Sequence, residues 1–397
     1  LKKTVSQALY DPFLLKDMQR AVDRINMAVD KHEKITIYGD YDADGITSTA
    51  LLYTFLKEYG AIVDYYIPDR IFEGYGVNKS AIEVIKNRGT NLIITVDTGI
   101  TAAQEIAYAY ELGLEVIVTD HHECKEEVPS CCAVINPKQN DCTYPFKELA
   151  GVGVAFKLIT ALNNNDAKGL FKKYMCLVSF GTIADVAPLI DENRAFVKLG
   201  LRDMQDCENV GIAALIKEAG LYGRVISAGS VGFALAPRIN AAGRLGSAYK
   251  SLELLLCDDE ARALEIAREL GEENRTRQLA EQAIFDEAIQ IIENEGLYND
   301  NVIVAASEGW HHGIIGIVSS KITERYYKPS ILLSIEDDIA KGSGRSIGEF
   351  NLFDALTAVS ETLTKFGGHS LAAGLTLETK NISVFKEQIN KYAAETL

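Results

Sequence analysis

Three short apolar runs, Ile-Thr-Ile-Tyr at 35–38, Leu-Ile-Ile-Thr-Val at 92–96 and Val-Ile-Val-Thr at 116–119, each lead into carboxylates. Runs of this length without polar alternation are buried on both faces, as strands of a parallel sheet are. They alternate with helical patterns at 47–59, 80–87 and 102–112 and with a further strand at 61–67. The expected fold class is therefore α/β, a parallel sheet with helices on both faces. The carboxyl ends of such strands open on one crevice, so residues distant in sequence can meet there. At those ends stand Asp40-Tyr41-Asp42-Ala43-Asp44-Gly45, Asp97 and Asp120-His121-His122, and Asp185 closes a later apolar run, Gly181-Thr182-Ile183-Ala184. These four clusters are expected to form one metal site.

At 397 residues the chain exceeds one ordinary core, and two domains are expected. The parallel-sheet domain is assigned 1–218, closed by helical patterns from 152 onward. A helical connector follows at 219–298, with a charged, nearly proline-free stretch at 258–295 that suits one or two long helices broken at Gly271. A smaller α/β domain takes 299–397, with strands at 302–305, 330–334 and 371–377, helices at 314–326 and 352–363, and a turn at 341–345.

Composition narrows the function classes. No apolar run reaches the roughly 18 residues that cross a bilayer, and no basic segment leads an apolar core at the start, so neither a membrane span nor a signal peptide is expected. Seven cysteines without a Cys-x-x-Cys pair, two of them adjacent (Cys131, Cys132), make a poor disulfide framework and point to a reducing cytoplasmic setting. The spacing of Cys124, Cys131, Cys132 and Cys142 fits no standard zinc pattern. The net charge of −16 argues against a surface that holds nucleic acid everywhere, while leaving room for a local basic groove. A chain opening on Leu1 is expected to be a fragment.

An isolated Asp-x-Asp after a strand is usually a turn. Four clusters together, with five of the six histidines in adjacent pairs or beside glycine, are not what core packing requires. Carboxylate oxygens with one or two imidazoles suit Mn²⁺ or Mg²⁺ rather than a structural zinc. Two such ions about 3.5–4 Å apart are a known device for hydrolysing phosphate esters.

The motifs Gly39-Asp40-Tyr41-Asp42-Ala43-Asp44-Gly45, Thr95-Val96-Asp97, Asp120-His121-His122 and Gly181-Thr182-Ile183-Ala184-Asp185-Val186-Ala187-Pro188-Leu189 resemble the DHH phosphoesterase superfamily. Within it the chain is similar to the bacterial branch of single-strand DNA exonucleases. The likeness takes in Ile67-Pro68-Asp69-Arg70, Glu73-Gly74-Tyr75-Gly76, Ala236-Pro237-Arg238-Ile239-Asn240-Ala241-Ala242-Gly243-Arg244 and Gly367-Gly368-His369, and so covers nearly the whole chain. Tyr38 stands four residues before the first metal-binding Asp of the motif, where many phosphatases of the superfamily have His, which favours the exonuclease branch.

The resemblance implies a Mn²⁺- or Mg²⁺-dependent enzyme with two ions that removes nucleotides from the 5′ end of single-stranded DNA in repair and recombination. It makes Asp42, Asp44, Asp97, His121 and Asp185 metal ligands, with Asp97 bridging and Asp40 a further candidate. His122 would face the scissile phosphate as charge stabiliser or proton donor. In a DHHA1-type second domain, Ser343 and Arg345 would hold the 5′ phosphate, helped by Arg70, Arg238, Asn240 and Arg244, the last three placed in a loop. His369 and its two glycines read either as an ordinary turn or as a DNA contact. Trp310-His311-His312-Gly313 reads either as a buried Trp capping a strand or as stacking rings at a helix start.

The strand is expected to thread between the two domains. The implied partners are single-stranded DNA, a single-strand-binding protein and a helicase, with the chain itself a monomer. Members of that branch continue into an oligonucleotide-binding β-barrel, which this chain stops short of. Two other readings compete: a phosphodiesterase or phosphatase of the same superfamily acting on short oligonucleotides or nucleotides, and a non-catalytic DNA-binding relative. The second would be expected to have lost ligands that are all present here.

Overall fold

The computed structural model describes residues 9–69, 73 and 76–397; Arg70, Gly74 and Tyr75 lie outside the described residues. The chain divides into two compact units, Leu1–Asn274 and Arg275–Leu397.

The first unit begins with α1 (Met18–Asp30), which buries Met18, Ala21, Val22, Ile25 and Ala28, the stripe expected of a helix on a core. There follow β1 (Lys34–Tyr38), α2 (Ala43–Glu58), β2 (Ile62–Tyr66), α3 (Lys79–Asn87), β3 (Leu92–Thr95), α4 (Ala103–Glu111), β4 (Glu115–Thr119) and β5 (Ala133–Ile135). The five strands are all parallel in the order β2-β1-β3-β4-β5. Alternate side chains feed two cores: Ile35, Ile37, Ile94 and Ile117 on one face, Tyr38, Ile93, Val116 and Val118 on the other. From β1 the chain first moves to β2 and then returns to β1's other side at β3. That reversal opens a crevice at the carboxyl ends of β1 and β3, where open α/β sheets place ligands.

Helices α5 (Gly151–Leu162), α6 (Lys168–Ala184), α7 (Asp191–Asp203) and α8 (Val210–Glu218) come next. They lead to a one-turn α9 (Ala228–Ser230), a π-helical turn Val231–Leu235, α10 (Ala236–Leu245) and α11 (Tyr249–Leu256). The 36-residue α12 (Glu260–Glu295) starts in the first unit and runs into the second. Its Gly271 causes no break; a Cβ there would sit 2.2 Å from the Glu218 carboxylate, so the glycine serves close packing. Ile226, Leu235, Ile239, Leu252, Leu255, Ile266 and Leu270 all join the first unit's main core. Residues 219–274 therefore belong to that unit and are not a free-standing connector.

The second unit comprises β6 (Ile303–Glu308), α13 (His312–Tyr326), β7 (Ser330–Glu336), β8 (Ile339–Arg345), α14 (Leu352–Ala358), β9 (Lys365–His369), β10 (Ala372–Glu378) and α15 (Ile382–Thr396). Its sheet runs β6-β7-β8-β10-β9, with β6 and β7 parallel and the other pairs antiparallel. Among the described residues no helix is long and apolar enough to cross a membrane.

Several local expectations are corrected. Asp44 lies in the first turn of α2, not in a loop, because Asp42 caps that helix four residues earlier than the apolar periodicity suggests. Residues 341–345 form the end of strand β8, not a turn: Cβ atoms on Gly342 and Gly344 would lie 2.6 Å from Leu333 and 2.8 Å from Leu352. Gly367-Gly368-His369 is strand β9, paired to β10. Arg238, Asn240 and Arg244 are on helix α10, where Gly243 is dictated by the Tyr41 carbonyl oxygen, 2.8 Å from where a Cβ would be.

Candidate metal centre

Asp42 sets the start of α2: its Oδ1 accepts the Asp44 and Gly45 amides, each at 3.0 Å. Gly45 is required at this cap, since a Cβ would come within 2.6 Å of the Asp40 carbonyl oxygen. Asp40 is buried and accepts the Tyr41 amide at 2.7 Å. Asp44 is buried too, and α5 points its amino end at it: Gly151 N donates to Oδ2 at 2.7 Å and Val152 N to Oδ1 at 2.8 Å. Unpaired helix-end amides thus hold this carboxylate in place.

Asp97 follows β3 in the left-handed region, φ 60°, a conformation uncommon outside glycine that fixes where the carboxylate points. Gly151 leaves room for it: a Cβ there would be 2.6 Å from Asp97 Oδ1. Asp185 caps the C-terminus of α6, and the next residue, Val186, is held at φ 60°, a strained conformation for a β-branched side chain.

After β4, the fully buried Asp120 does not point to the cluster. It accepts the Ile100 amide at 2.9 Å through Oδ2, and through Oδ1 the His121 amide at 2.7 Å, the His122 amide at 3.1 Å and His122 Nδ1 at 2.7 Å. Asn136 Nδ2 secures the same turn by donating to the His122 carbonyl at 2.9 Å. Asp120 thus fixes the backbone of both histidines and orients the His122 imidazole. His121 Nε2 then lies 3.0 Å from Asp97 Oδ1 and 3.9 Å from Asp44 Oδ2, while its Nδ1 is 3.8 Å from Asp185 Oδ2.

The electrostatics of this cluster are strained. Burial, followed by repulsion from neighbouring carboxylates, drives Asp44 and Asp97 well above the ordinary carboxylate range, and burial with the Asp42 charge lifts Asp185 to about 7. Burial, reinforced by the charge on His122, pushes His121 down to about 3. Burial is the largest single influence on His122 and would lower it as well, but the hydrogen bond and charge of Asp120, together with the charges of Asp185 and Asp40, lift it to about 9. Burial is the largest single influence on Asp120 and would raise it, but the bond from and charge of His122, with His121 and the Ile100 amide, together hold it below its ordinary value. At neutral pH His121 is therefore an uncharged imidazole and His122 a cation.

The 3.0 Å approach of His121 Nε2 to Asp97 Oδ1 is accordingly not an ion pair. Both atoms are buried, and neither makes a hydrogen bond. Orphaned acceptors beside mutually repelling carboxylates are what a hard divalent cation would satisfy. Three ligand sets have donor atoms within 4.8 Å of one another: Asp40, Asp42 and Asp97; Asp44, His121 and Asp185; and Asp97, His121 and His122. All six expected ligands fall in these sets, with Asp97 shared by two, so the residues fit the group.

The expected phosphate-binding residues fall in different places. Asn240 Oδ1 accepts the Ala43 amide at 2.8 Å and so tethers the Asp40–Asp44 segment to α10. Arg238 bonds the Glu218 carboxylate through Nε and the Ala234 carbonyl through Nη1 at 2.6 Å. Arg244 lies in the last turn of α10, half-buried. In the second unit Arg345 Nη1 donates to Ser343 Oγ at 3.2 Å. Both side chains face α13: a Cβ on Gly316 would be 2.8 Å from Ser343 Oγ and 3.1 Å from Arg345 Nη2. His369 is exposed at the end of β9 and accepts the Leu371 amide at 3.3 Å. Trp310 is buried, with Nε1 donating to Glu287 at 2.9 Å. Sequence reasoning missed Asp120 as orienting residue and the Gly151–Val152 amides as Asp44's partners; the small-residue run Ala150-Gly151-Val152-Gly153 was the available signal.

A five-stranded parallel sheet with this cluster at its switch point, followed by a second mixed-sheet unit, defines the class of DHH–DHHA1 proteins. The model of the DHH family N-terminal domain matches residues 34–182 and that of the DHHA1 domain residues 299–395. The chain is 37% identical to the single-stranded-DNA-specific exonuclease RecJ of Escherichia coli strain K12, over 96% of its own length and 70% of that protein. It is 48% identical to the protein of that name from Bacillus subtilis, over 98% of its own length and 49% of the relative's. A crystal structure of exonuclease RecJ bound to manganese superposes with TM-score 0.85 at 37% identity, covering 96% of this chain and 95% of that one. The chain belongs to the RecJ family. It spans about half the length of the Bacillus relative.

Proposed function

We propose that the chain carries a metal-dependent exonuclease centre that hydrolyses phosphodiester bonds of single-stranded DNA from the 5′ end, with two Mn²⁺ or Mg²⁺ ions as cofactors, as part of DNA repair and recombination. The observation that carries this reading is the buried pair of orphaned acceptors, Asp97 Oδ1 and His121 Nε2, inside a ring of carboxylates. The names of the relatives support the substrate, and a RecJ structure solved with manganese supports the metal.

Asp42, Asp44, Asp97, His121 and Asp185 would hold the ions, with Asp40 at the edge of the same set. Bound divalent ions supply a water activated for attack and offset charge on the phosphate. The chain's own residues do the rest. Asp120 keeps His122 protonated through Nδ1, which leaves Nε2–H to stabilise the phosphate oxygens or to protonate the departing 3′ oxygen. Asn240 and the amino end of α5 keep the carboxylates from collapsing away from one another. Ser343 and Arg345, packed against Gly316 of α13, would form an anion site of the kind that grips a terminal phosphate: a forked guanidinium and a hydroxyl. Arg244 and His369 are proposed as further contacts to the strand. Arg238, bonded to Glu218 in the structure, acts in this reading as a strut for α10. Arg70, also proposed for phosphate binding, lies outside the described residues. A cytoplasmic monomer that meets single-strand-binding protein and a helicase completes the proposal.

The test is a time course on one single strand labelled at its 5′ or its 3′ end, with Mn²⁺, Mg²⁺ or EDTA. Early release of the 5′ label, lost in EDTA, is expected. Early release of the 3′ label, or turnover of dinucleotides alone, would overturn the reading.

A further inference from the structure

One exposed aromatic ring, on the segment that leads into α10, has no part in the chemistry described so far. Phe233 is 88% exposed. Leaving such a side chain in water forgoes the free energy of its burial, yet single exposed apolar residues are common and prove nothing alone. Three other observations converge on it.

The first is its backbone. Phe233 stands on the π-helical turn Val231–Leu235, and π-turns are rare and frequent at functional sites. The turn is fixed: Ser227 and Ser230 form a reciprocal capping box before it, and Val231 and Leu235 are fully buried beneath it. The ring is carried on a rigid base, as a recognition element needs to be.

The second is place. Gly232 packs towards α6, where its Cβ would be 3.7 Å from Ile183 Cγ2, two residues before Asp185. Seven residues after Phe233, Asn240 holds the Ala43 amide of the carboxylate loop, and Gly243 lies against the Tyr41 carbonyl. The segment 232–243 that carries Phe233 therefore runs from α6, two residues short of Asp185, to the carboxylate loop at Tyr41 and Ala43.

The third is the company the ring keeps. Pro237, Asn240 and Arg244 follow at helical spacing and are the partly exposed face of α10, while Ala236, Ile239 and Ala242 are buried. An aromatic ring followed along one face by a guanidinium is the composition of a single-strand groove, in which bases stack and cations follow the backbone.

We infer that Phe233 is a stacking platform for one unpaired nucleobase of the strand, a positioning residue that keeps the chain in register with the metal centre. Every base has a π-face, so the contact is indifferent to sequence. A paired base is already stacked on its neighbours, so the same contact selects against duplex. This rests on the single-strand substrate proposed above.

The test uses single strands of one sequence, each with an abasic site at a different position, and the Mn²⁺-loaded protein, its Phe233→Ala variant and its Phe233→Trp variant. The wild type should show one position at which loss of the base raises KM about ten-fold. Phe233→Ala should raise KM by a similar factor on the intact strand and stop responding to that position, and Phe233→Trp should restore the response. A flat abasic profile in the wild type overturns the inference, as does a Phe233→Ala profile that keeps the wild-type maximum. Equal loss on all strands together with a lowered Tm in Phe233→Ala would assign the ring to fold maintenance and also overturn it. A wild type that degrades no single strand contradicts the proposed function instead, and the same scan read as Kd by fluorescence anisotropy still decides the role of Phe233.

Discussion

Asp97 and Asp120 differ by what surrounds them. Asp97 has an orphaned oxygen among other carboxylates, whereas each oxygen of Asp120 accepts a hydrogen bond. Removing the Asp97 charge relieves repulsion, so Asp97→Ala should abolish strand hydrolysis while Tm measured without metal stays level or rises; hydrolysis at the wild-type rate would show that this carboxylate is not a ligand. Asp120→Asn weakens the hydrogen bond and removes the charge that do most to raise His122 against its burial. The sign follows directly: His122 loses the partner that raises it, its protonated fraction at neutral pH falls, and the alkaline limb of the kcat–pH profile moves to lower pH. A ten- to hundred-fold loss of activity is the usual scale for such an orienting residue, roughly. An unmoved alkaline limb would remove His122 from the chemistry.

At the scale of elements, the strands at 35–38, 92–96 and 116–119 were legible because parallel strands buried on both faces leave an unbroken apolar run. With them came the crevice and five of the six candidate ligands, and the later apolar run at 181–184 led to the sixth, Asp185. What stayed hidden was glycine and asparagine used for tertiary reasons. Gly342 and Gly344 read locally as a turn, but they make room in a strand for Leu333, Leu375 and Leu352. Gly243 and Asn240 read as a loop, but they let α10 approach Tyr41 and tether Ala43. Strand β5, only three residues long, carries too little pattern to be seen. Asn240→Ala should consequently act through the metal and not through the strand: Mn²⁺ affinity should fall about ten-fold, while Kd for single-stranded DNA at saturating Mn²⁺ changes little. The reverse pattern would return Asn240 to direct DNA contact. Gly151→Ala, whose methyl would press on Asp97 Oδ1, should lower Mn²⁺ affinity more than Gly153→Ala, whose methyl would meet Leu149 at 3.3 Å and Phe196 at 3.8 Å; equal effects would contradict the packing described.

For the whole molecule, the net charge of −16 and the raised carboxylates share a consequence. The fold assembles like charges that only a cation can reconcile, so ligand binding is linked to stability. A divalent ion present at about a hundred times its Kd should add roughly 2.7 kcal/mol, read as a Tm increase of several degrees that EDTA reverses. The most direct test of the central claim, that these carboxylates and His121 form a divalent-metal centre, is equilibrium Mn²⁺ binding by electron paramagnetic resonance on the wild type and on Asp97→Ala. The account predicts tight uptake by the wild type and its loss when the shared ligand is removed; the same stoichiometry and affinity in both proteins would contradict it.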